Sequence, residues 1–165
     1  MDATTARAAF HDLVGELDPP MFIVTADAGG RRSGCLVGFG SQTSIEPPRF
    51  LVCLSRENLT YRVALDCALL AVHLVPGEHD DLARLFGGQT GDDTDKFAQC
   101  DWYPGPGGLP ILRACHDWFA GRVVERLDLG DHVGFLLEPV HVHREGGAEH
   151  IEFQQAKDIE PGHPA

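Results

Sequence analysis

Residues 34–55, "GCLVGFGSQTSIEPPRFLVCLS", set an apolar, strand-like run on each side of "GSQTSIEPP". Ser41, Gln42, Thr43 and Ser44 bring three hydroxyls and an amide into four consecutive positions, with no charge before Glu46. The chain as a whole has 25 Asp and Glu against 13 Lys and Arg, a formal net charge of -12. A nearly neutral, donor-rich segment in so acidic a chain suits a ligand that takes hydrogen bonds and tolerates little negative charge nearby. A flat heteroaromatic ring edged with carbonyl oxygens and nitrogens has that chemistry. Pro47 and Pro48 stiffen the return. On these residues alone, a plain connecting loop and a ligand cradle both stand.

Other chemistries find less. "GFGSQT" at residues 38–43 has GxG but no third glycine, and the Pro-Pro that follows forbids the helix of a dinucleotide-binding turn. "HVH" puts His141 and His143 on one face of a strand, with no third metal ligand at a useful spacing. "DDTD" at residues 92–95 lacks the glycine and closing glutamate of a calcium loop. There is no GxSxG. The five cysteines (35, 53, 67, 100 and 115) stand fourteen or more positions apart, so no CxxC exists and free thiols are expected, Cys53 and Cys67 as small buried residues.

The elements that would position the polar segment are mainly strands. Phe10, Leu13, Val14 and Leu17 mark an amphipathic helix that ends at Asp18. "MFIVTADA" and "GCLVGF" read as strands around the hairpin turn "AGGRRSG", and "RFLVCLS" and "LLAVHLV" as two more. "NLTYRVA" reads as a helix with Asn58 as its N-cap, and "DDLARLFGG" as one with acids in its first turn. Residues 89–110 form a long loop with one turn of helix near residues 95–99, a length usual for functional loops. "DWFAGRVVERLDLG" and "DHVGFLLEPVHVHR" are long strands around a tight turn. The expectation is a single mainly β domain over residues 1–165: a six-stranded antiparallel, Greek-key-like barrel with short flanking α-helices. Its core covers about residues 10–144, and a polar tail at residues 145–165 is frayed.

An excess of acid argues against nucleic acid, which needs clustered Lys and Arg. No apolar run approaches the ~20 residues that cross a bilayer, and "MDATTARAAFHDLVGEL" lacks a secretory pattern. No membrane partner and a cytoplasmic location are the expectation.

The run at residues 34–55, followed by "NLTYRVA", "DLARLFGG", "DKFAQCDW", "GGLPIL" and "LGDHVGFLLEPV", resembles the flavin reductase family of FMN-binding split barrels, over residues 13–143. The resemblance implies an NAD(P)H-dependent enzyme that passes hydride to FMN, or to FAD, with NADH or NADPH as reductant. It implies a homodimer with flavin near the subunit boundary, and a partner monooxygenase that takes the reduced flavin. It further implies that backbone amides of Gly40, Ser41, Gln42, Thr43 and Ser44 meet the flavin's pyrimidine edge. Cys35, Leu36, Val37 and Gly38 then run along the ring, and Ser55, Arg56, Asn58 and Thr60 lie on the phosphate side. Lys96 and Phe97 are a second rim, and His132 stands near the nicotinamide. Many members carry G-M-T-x-N/S-S-F where this chain has Gly34, Cys35, Leu36, Val37, Gly38, Phe39 and Gly40, so the usual polar groups are missing at Leu36 and Gly38. A different class of function is a flavin- or haem-binding carrier or sensor that does not turn over NAD(P)H.

Overall fold

The structure is a computed structural model, which describes residues 1–163. Helix α1 (Ala3–Gly15) leads into strands β1 (Phe22–Ala28), β2 (Arg31–Val37), β3 (Gly40–Ser44) and β4 (Arg49–Ser55). Then come α2 (Leu59–Ala64), β5 (Leu69–Leu74) and α3 (Asp80–Gly88). A 3-10 turn (Lys96–Gln99) precedes β6 (Trp102–Pro104) and β7 (Pro110–Leu112). Strands β8 (Asp117–Asp128) and β9 (His132–His143) and helix α4 (Phe153–Ala156) complete the chain.

Seven strands make one antiparallel sheet, in the order β2-β1-β5-β8-β9-β4-β3. β2 and β3 are its two edges, yet only residues 38 and 39 separate them in the chain. Three steps along the backbone span at most about 11 Å. The sheet must therefore curl until its edges nearly meet, which is a barrel split between β2 and β3. Six of the strands are those read from the sequence. The seventh is β3, the polar segment read there as a loop. It pairs with β4 through Gly40↔Val52, Ser41↔Leu51 and Gln42↔Phe50, with a register shift between Gln42 and Ser44. Hydroxyl and amide side chains hide a strand from a hydrophobic pattern, although an edge strand with a solvated face needs no apolar residue.

Alternation along β1 explains the packing. Phe22, Val24 and Ala26 point into the barrel with Cys35, Val37, Val52, Leu54, Phe135 and Leu137. Met21 and Ile23 point out, into a second core with Leu82, Phe86, Leu112 and Ile151. The hairpin between β1 and β2 turns on Gly29 and Gly30, whose positive φ values of 65° and 93° suit a tight strand-to-strand turn.

Three expectations need correcting. Residues 89–110 are not structureless: β6 and β7 pair as a small second sheet that covers β5 and β8 from outside. Their three-residue strands, interrupted by Pro and Gly, carry too few residues for a readable period. Residues 145–163 are not a frayed tail. Ile151 is fully buried, accepts from Met21 N–H and donates to Val75 O, and Phe153 and Ile159 pack on the second core. Ile151, Phe153, Ala156 and Ile159, scattered among polar residues, suffice because the backbone supplies the pairing. Residues 164–165 of that expected tail lie outside the described residues. Last, α1 forms with Asp2 as its N-cap, but none of its residues is buried, and Phe10 and Leu13 are exposed.

Candidate active site

The polar strand β3 lies on the open edge of the barrel. Ser41, Gln42 and Thr43 are exposed, and no strand sits beyond them. Their side chains bond only locally: Ser41 Oγ donates to Gln42 O at 3.1 Å and Gln42 Nε2 to Ser44 O at 3.1 Å. The outward backbone groups of an edge strand are free to meet something else.

Beside the start of β3 stands an aromatic pair. Phe39 is 62% exposed, and its ring centre is 5.0 Å from that of His132, at 61°. His132 opens β9 opposite Ser55, and its Nδ1 is 2.7 Å from Asp131 Oδ1. The turn before it is held by Arg56. The guanidinium pairs with Asp128 Oδ1 at 2.7 Å and donates through Nε to Gly130 O at 3.0 Å. Gly130 N–H, and then Arg56, hold the Asp128 carboxyl below its ordinary range. Gly130 has φ of 117°, a conformation L side chains rarely adopt. Arg56 is therefore an anchor for the turn that presents His132, and its charge already has a partner.

A second group of site residues lies at the start of α2. Asn58 Oδ1 accepts from Thr60 N at 3.0 Å, the N-cap bond its type predicts. The Thr60 hydroxyl meets the Ser33 hydroxyl at 2.8 Å in a buried contact. Ser55 Oγ accepts from Glu57 N. Asn58 N donates to Ser55 O, so this group and the His132 rim are joined through one turn.

β2 contributes in another way. Cys35 and Val37 are buried inside the barrel, and Leu36 packs outward against Gly87, where a Cβ would come within 2.8 Å of its Cδ2. Side chains of Cys35, Leu36 and Val37 are thus committed to packing, and only the strand's backbone remains for a ligand. Burial pushes the Cys35 thiol up, so it is no nucleophile. Gly38 and Gly40 sit over Met21 and Phe22, where a Cβ would approach to 3.3 Å and 3.1 Å.

Lys96 and Phe97 both line a cavity beside β2, from buried positions. Lys96 Nζ donates to Gly34 O at 3.0 Å and Phe86 O at 3.1 Å. Burial lowers its pKa. It fastens the edge of β2 to the last turn of α3, at a cavity of about 290 Å³ that it lines with Arg32, Ser33, Asp92, Asp93 and Asp95.

Three residues at the site were not singled out in the sequence. Phe39 had a visible signal, an aromatic between two glycines in a polar stretch. Ser33 and His163 had none, since the contact of Ser33 with Thr60 and that of His163 Nε2 with Asn58 Nδ2 at 3.0 Å join residues far apart in the chain. His141 and His143 do share a face, stacked on Trp118 at 5.2 Å and 5.8 Å. Among the described residues, no group of three or more His, Cys, Asp or Glu is placed to hold a metal, and no helix is long and apolar enough to cross a membrane.

Comparison with known proteins places this geometry. Residues 14–157 match the family model described as a flavin reductase like domain. A protein named FMN reductase (NADH) RutF from Klebsiella pneumoniae is 31% identical over 128 residues, 78% of this chain and 77% of that one. The 4-hydroxyphenylacetate 3-monooxygenase reductase component of Pseudomonas aeruginosa is 29% identical, over 80% of this chain and 78% of that one. A solved FMN-binding protein from Thermus thermophilus superposes with a TM-score of 0.74 at 25% identity, covering 79% of this chain and 72% of that one. With the family model spanning nearly the whole barrel, this chain belongs to the flavin reductase like domain family.

Proposed function

We propose that this protein is an NADH-dependent FMN reductase that supplies reduced flavin to a partner monooxygenase. The observation that carries the reading is the exposed, uncharged edge strand β3 beside the Phe39–His132 pair, on a chain of net charge -12. The names of the relatives from Klebsiella and Pseudomonas support NADH and the monooxygenase partner, and that of the Thermus protein supports FMN.

The residues present fit such a ligand. The free edge of β3 offers backbone N–H groups together with the polar side chains of Ser41, Gln42 and Thr43. No carboxylate stands between Gly38 and Ser44. When bound, FMN supplies the acceptor for the hydride that NADH gives up. The β3 amides would favour the negative charge gained on reduction, by hydrogen bonds fixed in advance. Gly38 and Gly40 let this stretch lie close over Met21 and Phe22, and Asn58 and Thr60 mark the phosphate end. His132 orients the nicotinamide and moves no proton. On this reading the protein is a homodimer, whose second copy covers Phe39 and Ile45, exposed by 62% and 84%.

The experiment mixes purified protein, FMN and NADH and follows the loss of flavin absorbance, with FAD and NADPH in parallel. Rapid bleaching of FMN by NADH is expected. Protein that binds FMN but bleaches with neither nicotinamide is a carrier, and the reductase reading then fails.

His132→Ala tests the division of labour. It is expected to lower kcat/KM for NADH by about 1–2 kcal/mol in transition-state terms while FMN affinity changes less than about twofold. Stopped-flow bleaching and fluorescence titration read the two quantities. Collapse of FMN binding with an unchanged NADH dependence makes His132 a flavin or structural residue instead.

A further inference from the structure

One exposed phenyl ring stands in the polar corner of the barrel. Among the described residues Phe39 and Phe10 are the exposed phenyl rings, and Phe10 belongs to α1. The backbone under Phe39 has little freedom. Its carbonyl accepts from Cys53 N–H at 2.9 Å, which ties it to β4. Its neighbours Gly38 and Gly40 press on Met21 and Phe22, where a Cβ would approach to 3.3 Å and 3.1 Å. Because Phe39 bonds towards β4, alternation turns the Gly40 amide the other way, to the free edge of β3. The first free donor of that edge and the phenyl ring are therefore consecutive in the chain.

The ring is also set from the side. Its centre lies 5.0 Å from that of His132, at 61°, an edge-to-face contact. Such a contact takes one face of the phenyl group at most, and the residue stays 62% exposed. A free phenyl face carries the negative part of the ring's quadrupole and suits a flat, electron-poor ring. Oxidised FMN is such a ring. On taking up two electrons and one proton it becomes an anion, richer in electrons, which the same face disfavours. Asp131 acts in the same sense. Its carboxyl is 2.7 Å from His132 Nδ1, and that contact holds it below its ordinary range, so a negative charge already stands on this side. The β3 amides act the other way, by favouring the anion.

We propose that Phe39 makes the site sensitive to the redox state of the flavin, by stacking on the oxidised ring and releasing the reduced one. This rests on the FMN reading above and adds a regulation to it. A reductase that hands reduced flavin to a partner enzyme needs that difference, since donors on β3 alone would hold the product most tightly. A second copy that reaches Phe39 contributes no such difference, because an apolar contact between subunits does not depend on the flavin's charge.

The test uses the full chain, with oxidised FMN titrated by fluorescence quenching and dithionite-reduced FMN by ultrafiltration without oxygen. Wild type is compared with Phe39→Ala, Phe39→Leu and Phe39→Tyr. Losing an aromatic contact is expected to weaken oxidised FMN about fivefold in Phe39→Ala, with reduced FMN within about twofold. A fivefold change in that ratio raises the midpoint potential of the bound flavin by about 20 mV, since tenfold is about 30 mV for two electrons. Phe39→Leu keeps an apolar contact without a π-face and should behave as the alanine variant, whereas Phe39→Tyr should behave as wild type. Losses for reduced FMN that equal or exceed those for oxidised FMN, or a leucine variant that matches wild type, make Phe39 a plain apolar wall and overturn the proposal. Unchanged affinities overturn it too, including the case in which Phe39→Ala alters only the sedimentation of the protein, which makes the ring a contact between copies. Wild type that binds neither form of FMN overturns the functional reading itself, and is distinguishable because no variant is needed to see it.

Discussion

Lys96→Met should lower the free energy of unfolding by about 3 kcal/mol, a large effect for a single substitution. The reason is geometric. β2 is an edge strand, and the carbonyl of Gly34 has no strand to accept from on that side. Phe86 O belongs to the last turn of α3, where carbonyls also lack helical donors and the helix dipole favours a cation. Lys96 satisfies both oxygens from a side chain that is 4% exposed. Hydrogen bonds to charged groups contribute roughly 1.5–3 kcal/mol each, and methionine of similar length leaves both carbonyls buried and unpaired. Part of the loss is offset, because the ammonium is no longer desolvated. The ring of Phe86 also lies under the ammonium at 5.6 Å and presses on Gly34, where a Cβ would come within 2.8 Å of it. Release of Lys96 should therefore loosen the strand that leads into the site, and FMN affinity should fall with stability. Guanidinium chloride unfolding measures the first and flavin quenching the second. A midpoint within 0.5 kcal/mol of wild type, the range of ordinary surface substitutions, would show that Lys96 is not a strut.

Most of the barrel was legible because its strands carry signals that survive tertiary context. β1, β4 and β5 are rich in β-branched and apolar residues, and β8 and β9 flank one tight turn. Asn58 and the acids Asp80 and Asp81 marked the starts of α2 and α3 through local bonds and dipoles, which need only a few residues. β3 was invisible because its two faces are both polar. The covering sheet of β6 and β7 and the closing segment at residues 145–163 were invisible for a different reason: they are held by contacts distant in the chain, such as Leu112 with His73 and Ile151 with Met21 and Val75. The site divides in the same way. The polar run and His132 could be picked out by residue type and order. That Arg56 spends its charge on Asp128, that Lys96 is buried, and that His163 reaches Asn58 are facts of the fold, and no spacing in the chain encodes them.

Acid should destabilise this protein through one residue, His73. It lies in β5 within the apolar run "LLAVHLV" and is fully buried. Its Nδ1 faces Ile23 O at 3.0 Å, and its Nε2 accepts from Leu112 N at 3.2 Å. The ring is therefore neutral with its proton on Nδ1, and it staples β7 to the outside of the barrel. Protonation would put a second hydrogen on Nε2, against the Leu112 N–H, in a fully buried site. Burial, opposed in part by the Ile23 carbonyl, lowers the pKa from 6.5 to about 4. The sign follows from proton counting. Between those values the unfolded chain binds a proton that the folded one refuses, so stability is full above about pH 6.5 and falls as pH drops towards 4. The span corresponds to about 3 kcal/mol, to order of magnitude. Carboxylates titrate over part of the same range, so the measurement is a difference. His73→Gln keeps a donor and an acceptor on one side chain and carries no charge at any pH. Unfolding free energies of wild type and variant, measured from pH 7.5 down to 4, should converge or cross by about 3 kcal/mol as acid is added, with wild type losing the more. Parallel curves would mean that His73 accepts its proton without cost, through a rearrangement of the β6–β7 cover, and that this cover is not fastened to the barrel as the hydrogen bonds indicate.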